Sequence, residues 1–191
     1  MFLVAACTQE KAADTPGATL GTAAPTTTTT DPYAAPNPID VAYVNRVLAG
    51  LDAVLGDVVR LVVVSRTIPR EAADRLTALY GTDASLNLRL DSLSRDVAFR
   101  LNDFKQQPGN PTTIVWDLIS AGPSCVFARV TRDYSAVAAS PSAEPAVQWI
   151  AVVPLDASRD PGRYNRTGWS FVYDGFEPGR VPPQVDPCAG R

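Results

Sequence analysis

The fold is decided by the stretch from Asp40 to Arg66, which reads DVAYVNRVLAGLDAVLGDVVRLVVVSR. Apolar residues recur in it at alternating spacings of three and four, which is the period of one helix face. They are Val41, Val44, Leu48, Leu51, Leu55, Val58 and Val62. Because Asp40 is a suitable N-cap, we expect one long amphipathic helix that ends near Arg66. Residues 61–64 are apolar on all sides, which predicts deep burial at that end.

Two further helices are expected after the first. Pro69 favours a helix start and Gly81 a helix end, and Asp83 is then expected to cap a third helix. The buried face of this third helix would consist of Leu86, Leu90, Leu93, Val97, Leu101 and Phe104. Residues 86–90 also alternate with period two, so a short strand there is the open alternative.

The second half of the chain has the pattern of strands. We expect them at residues 112–119, 125–134, 147–153 and 168–173, the first two joined by a turn at the sequence AGPS. Trp169, Phe171 and Tyr173 would share one face of the last strand. Helices followed by strands predict an α+β fold, with the long first helix and its neighbours packed on a curved antiparallel sheet of about four strands.

This element order, with aromatic residues in the final strands, resembles the nuclear-transport-factor-2-like (cystatin-like roll) superfamily over residues 40–178. The resemblance implies a first helix that closes a conical sheet, and a mouth where enzymes of the family place acids, bases and tyrosines. The common form has a strand pair between its second and third helices. This sequence offers at most residues 86–90 there, so another topology of the helical layer stays open.

The N-terminus has the features of an export signal. Residues 1–7 read MFLVAAC, in which Val4, Ala5 and Ala6 precede Cys7 as they would in the lipobox of bacterial lipoproteins of the actinobacterial type. The resemblance implies that Cys7 carries lipid and anchors the protein to the outer face of the cell membrane. The stretch is shorter than a full signal peptide, so we expect an upstream start or a trimmed chain. An ordinary apolar N-terminus is the alternative.

Composition divides the rest of the chain. Residues 8–38 are rich in Ala, Thr and Pro and lack apolar periodicity, which predicts a disordered tether between the anchor and an α+β domain at residues 39–178. Residues 179–191 form a Pro-rich C-terminal tail. With Cys7 assigned to lipid, Cys125 and Cys188 remain as an even pair, which in an exported protein predicts a disulfide.

Composition also excludes classes of function. The chain has no histidine, which removes Ser/His/Asp and Cys/His catalysis, and its three cysteines do not form a spaced metal site. We expect no cofactor. A net charge of -3 argues against a nucleic-acid partner, because the fifteen arginines are scattered among acids.

Carboxylates and tyrosines remain as candidates for chemistry. Asp117 lies in an otherwise apolar strand, where a buried carboxylate could act as a base, or where a surface acid could pair with an arginine across the hairpin. Tyr134 and Tyr173 are the other catalytic candidates, beside Asp133 and Asp174. Four aromatic residues are candidates for lining a pocket, although core positions are the simpler interpretation for at least two of the tryptophans. They are Trp116, Trp149, Trp169 and Phe171.

Together these features favour binding over catalysis. The expected function is that of a non-enzymatic, lipid-anchored envelope protein whose domain binds a small apolar ligand or another envelope protein. A small isomerase, cyclase or hydrolase that uses Asp or Tyr is one alternative, and an assembly component of secretion or conjugation machinery is another.

Overall fold

A computed structural model describes residues 31–141, 144–175 and 183–191. Three helices are followed by a curved, unclosed antiparallel sheet of four strands in the order β1-β2-β3-β4, so the predicted α+β class is confirmed. The elements are α1 Val41–Ser65, α2 Arg70–Leu79, α3 Asp83–Phe99, β1 Thr112–Gly122, β2 Cys125–Asp133, β3 Ala146–Pro154 and β4 Trp169–Gly175.

Helix α1 begins and ends where the sequence predicts. The Asp40 carboxylate accepts a hydrogen bond of 2.7 Å from the backbone N–H of Tyr43, and the helix stops at Arg66, which has a left-handed φ of 56°. The predicted apolar face is buried except at Val41. The prediction of deep burial at residues 61–64 was wrong, since Val64 is 82% exposed. Val64 continues the side of α1 on which Ala42, Arg46 and Ala49 are exposed to water.

Helix α3 corrects three expectations. Residues 86–90 are helical, so the alternative of a strand there is wrong. The N-cap is Thr82 rather than Asp83, because the Thr82 hydroxyl accepts from the backbone N–H of Ser85 at 3.2 Å. The predicted face is only partly buried. Leu93 alone is fully covered, and Leu101 and Phe104 lie beyond the helix end at Phe99. Leu86, Leu90 and Val97 pack against the core but keep part of their surface exposed to water.

The sheet has one face turned to the helices. On β2 this face carries Val126, Ala128, Val130 and Arg132, and on β3 it carries Gln148, Ile150 and Val152. Trp169 and Phe171 of β4 lie on one face of the strand, as predicted, and join the same core. A register shift then places Tyr173 opposite Ala151 and Asp174 opposite Ile150. The shift breaks the predicted alternation through Tyr173, and Asp174 takes the helix-facing position instead.

The predicted disulfide is confirmed. Cys125 and Cys188 are joined with a Cα–Cα distance of 5.6 Å, which ties the C-terminal segment to the start of β2 across a sequence separation of 63. Such bonds are typical of proteins that fold outside the reducing cytosol.

The ends of the chain are described in part. Cys7, with the expected signal remnant at residues 1–7, lies outside the described residues, as does the part of the expected tether up to residue 30. From Asp31 onward the segment packs on the domain: the backbone carbonyl of Tyr33 accepts a hydrogen bond of 2.9 Å from the Tyr43 hydroxyl. Ordered contacts therefore begin before Ile39. None of the helices within the described ranges is long and apolar enough to span a membrane.

Candidate functional site

A cavity of about 460 Å³ lies between α1, α3 and strands β2 to β4. Leu55, Leu88 and Val172 supply apolar wall. The polar part of the wall includes Tyr80, Arg89, Arg132, Tyr134, Gln148 and Asp174, and we call the space the polar cavity. Its size falls in the range that holds small organic ligands.

Arg132 is the central side chain of this cavity and is only 1% exposed. Its Nη1 donates to Asp174 Oδ1 at 2.8 Å, and its Nε donates to Thr113 Oγ1 at 2.7 Å. The Phe171 ring lies 5.6 Å from the guanidinium carbon. A cation removed from water needs such partners, because an unpaired buried charge is strongly unfavourable.

Asp52 of α1 supports Arg132 from behind. Its Oδ2 accepts from the backbone N–H of Thr113 at 2.7 Å, and its Oδ1 accepts from the Thr113 hydroxyl at 3.0 Å. Burial raises the pKa of Asp52, although Arg132 and Thr113 act against the rise. Asn45 accepts from the backbone N–H of Val115 in the same way. These contacts join α1 to backbone N–H groups of the edge strand β1, so the role of Asp52 is structural.

Asp174 and Tyr80 form the opposite side of the network. The Tyr80 hydroxyl donates to Asp174 Oδ2 at 2.9 Å. Burial alone would raise the pKa of Asp174, but Arg132 and Arg89 outweigh it and hold that pKa below its ordinary value. Burial and the neighbouring carboxylate raise the pKa of Tyr80 far above its ordinary value. Asp174 therefore stays ionised and Tyr80 stays a hydrogen-bond donor at physiological pH.

Three buried polar atoms of the cavity wall have no hydrogen-bond partner within the described part of the chain. They are Arg89 Nε, Arg132 Nη2 and Gln148 Oε1. Gln148 is 1% exposed, and its Nε2 donates to the Tyr134 hydroxyl at 3.2 Å. Native proteins leave few such atoms, since each costs about 1–3 kcal/mol. Two unpaired donors and one unpaired acceptor thus surround the same space.

A second cavity of about 570 Å³ lies beside the polar cavity. The two share four lining residues, Leu55, Arg89, Ser92 and Tyr134. The second cavity is more apolar on the side of the core, where Val59, Leu93, Phe104 and Val137 line it. Asp96, Arg100 and Asp103 provide charged groups elsewhere in its wall.

The structure separates the predicted catalytic candidates. Tyr134 and Tyr173 both line the polar cavity, together with Asp174. Asp117 is exposed on β1, next to the register shift of that strand, and lines neither of the two cavities. Asp133 accepts hydrogen bonds from Ser135 and stabilises the turn after β2. Asp117 is therefore a surface acid, as in its simpler interpretation.

The four aromatic pocket candidates line neither of these two cavities. Trp169 and Phe171 belong to the core, and Trp169 Nε1 donates to the Tyr43 hydroxyl at 2.7 Å. Trp116 is 62% exposed at the register shift of β1, and Trp149 lies on the face of the sheet away from the helices. Helix α1 fills the space in front of Trp169. Of the three tryptophans only Trp169 lies in the core, so the interpretation that at least two of them do was wrong.

Sequence reasoning missed the principal residues of the polar cavity, Arg132, Gln148, Arg89 and Tyr80. A signal was present for the first two, because each occupies a core-facing position in a strand whose other core-facing residues are apolar. The sequence gives no sign that Arg89 lines a cavity, because a charged residue beside the apolar face of an amphipathic helix is expected.

No group of three or more metal-ligating side chains occurs among the described residues. Comparison with protein-family models, with curated proteins and with solved structures finds no match for this chain. The fold and the cavity therefore define the class of this protein. It is an α+β domain with a polar cavity between its helices and its sheet.

Proposed function

We propose that this chain is a lipid-anchored envelope protein whose domain binds a small molecule in the polar cavity and catalyses no reaction. One observation carries the proposal: buried donors and an acceptor on Arg89, Arg132 and Gln148 lack partners around a cavity of ligand size. A ligand that supplied those partners would offset the cost of leaving them unpaired.

The ionisable groups support binding rather than catalysis. Proton transfer near neutral pH needs a group whose pKa lies near neutrality. In the polar cavity, the pKa of Asp174 is lowered and that of Tyr80 is raised, so both groups are held in one protonation state. The Tyr80 hydroxyl already donates to Asp174, and Asp174 also accepts from Arg132.

The fold and the disulfide support the remaining parts of the proposal. Helices packed over a curved four-strand sheet with a cavity between them suit the nuclear-transport-factor-2-like roll, although α3 follows α2 without the usual strand pair between them in this described part of the chain. The bond between Cys125 and Cys188 suits an extracytoplasmic location. The lipid anchor rests on the sequence around Cys7, and loss of palmitate incorporation in Cys7→Ser would support it.

Binding in the cavity can be tested by filling it. Ser92 of α3 lines both cavities, whereas Ser94 of the same helix is exposed. We expect the full chain to bind the fluorescent probe anilinonaphthalene sulfonate saturably, Ser94→Trp to bind it equally well, and Ser92→Trp to bind it about tenfold more weakly. Equal affinity in all three proteins would overturn the proposal.

An enzyme of the same fold is the second candidate, because Tyr134, Tyr173 and Asp174 do share one cavity. A small isomerase or hydrolase would depend on a tyrosine hydroxyl. Loss of a measured turnover in Tyr134→Phe, with ligand affinity unchanged, would favour catalysis over binding.

A further inference from the structure

We infer that the polar cavity holds the carboxylate of a monoanionic, amphipathic molecule, and that the second cavity holds its apolar body. The inference rests on the proposed function and names its ligand class.

The unpaired donors indicate an acceptor group on the ligand. Arg132 uses Nη1 and Nε on Asp174 and Thr113, which leaves Nη2 unpaired. Arg89 is half-buried and forms no ion pair or hydrogen bond with any described residue, and its Nε is also buried without a partner. Arginine N–H groups of this kind suit carboxylates, with which they form short, charge-assisted hydrogen bonds.

The net charge of the cavity wall favours a ligand with a single negative charge. The charged side chains that line the polar cavity are Arg89, Arg132 and Asp174, which sum to one net positive charge. Asp52 lies behind Thr113 and is not part of the lining. A carboxylate would neutralise the wall, whereas a doubly charged phosphate would leave a buried negative charge near Asp174.

The second cavity accounts for the rest of the ligand. Because Leu55, Arg89, Ser92 and Tyr134 line both spaces, a molecule with its head at Arg89 can extend into the second cavity. There it would meet an apolar surface formed by Val59, Leu93, Phe104 and Val137. Burial of an alkyl chain against this surface would supply most of the affinity.

Three probes that differ only in their head group test the assignment: decanoic acid, decanol and decylamine. We expect calorimetry with the full chain to show that decanoate binds at least about tenfold more tightly than decanol or decylamine. Arg89→Gln should weaken decanoate by about tenfold and leave decanol unchanged. Arg95→Gln is the matched control, because Arg95 is exposed on the same helix, and it should change nothing.

The outcomes separate this inference from the proposed function. Equal affinity for the three probes, or decanoate binding that does not respond to Arg89→Gln, would overturn the head-group assignment. Failure of decanoate to bind, while Ser92→Trp still weakens anilinonaphthalene sulfonate, would overturn this inference alone. If Ser92→Trp has no effect either, both fail.

Discussion

The two faces of strand β2 each carry an arginine, and the contacts around the two side chains differ. Arg132 faces the helices, is 1% exposed, and donates to Asp174 and Thr113. Arg129 faces outward, is half-buried, and has its guanidinium carbon 4.2 Å from the ring centre of Trp116 and 5.9 Å from that of Trp149. These two arginines, three positions apart on one strand, therefore have different partners. Carboxylate and hydroxyl oxygens surround the charge of Arg132, and aromatic rings lie against that of Arg129.

The difference follows from how far water reaches each face of the sheet. The inner face is covered by the helices, so a charge there requires hydrogen-bonding partners, and the partners must come from other elements. The outer face keeps contact with solvent, where a cation over a ring contributes a modest energy. Phe127 and Trp149, with ring centres 5.7 Å apart, complete this outer cluster. Substitutions on the inner face should therefore have the larger effects.

The largest effect is expected for Arg132→Met. It keeps much of the volume but leaves the buried carboxylates of Asp52 and Asp174 without their cation, which should lower the free energy of unfolding by about 3–5 kcal/mol. Chemical denaturation monitored by circular dichroism measures the change. A loss under about 1 kcal/mol would show that the inner network is not required for stability.

The disulfide should come next. Cys188→Ser opens a loop with a sequence separation of 63 and should cost about 2–4 kcal/mol. Reductant should bring the wild-type protein to the stability of the variant and leave the variant unchanged. If reductant leaves wild-type stability unaltered, the bond does not stabilise the fold.

Asp174→Asn should have a smaller effect that depends on pH. The variant loses charge-assisted hydrogen bonds from Arg132 and Tyr80, which should cost about 1.5–3 kcal/mol near neutral pH. Because the folded pKa of Asp174 is lowered, its contribution is present above its ordinary pKa of 3.8 and is lost as the pH falls through the folded pKa. The stability of the two proteins should therefore converge below about pH 3.8. A gap that stays constant with pH would contradict the network.

The smallest effect is expected on the outer face. Arg129→Met removes the contacts with Trp116 and Trp149 and should lower the free energy of unfolding by only about 0.5–1 kcal/mol. It is the same kind of substitution as Arg132→Met and lies on the same strand. Comparable losses from the two substitutions would mean that the two faces are not distinguished by their access to water.

Local signals were sufficient for much of the fold. The stripe in α1, its Asp40 cap and the strand positions are properties of short segments, and the pairing of Cys125 with Cys188 followed from the cysteine count. The extent of burial of α3 could not be predicted, because helical periodicity shows which side faces the core but not how much of that side the neighbouring elements cover.

The site depends on contacts that are distant in sequence. Arg132 and Asp174 are 42 residues apart, and a register shift in β4 is needed to bring Asp174 to the helix-facing side. Alternation along β4 alone predicts the other face for that residue. Tyr134 and Tyr173 were identified as candidates from residue type, but their neighbours Arg89 and Gln148 became visible only through the tertiary structure.

The central claim is that the unpaired donors of the polar cavity serve a ligand rather than stability, and Arg89→Met tests it most directly. Methionine keeps much of the apolar stem and removes the unpaired Nε, so the free energy of unfolding should stay within about 1 kcal/mol of the wild-type value or rise. Decanoate affinity, measured on the same preparation of the full chain, should fall by about tenfold, because the carboxylate loses an N–H donor. A variant that is clearly less stable yet binds decanoate as the wild type does would contradict the claim.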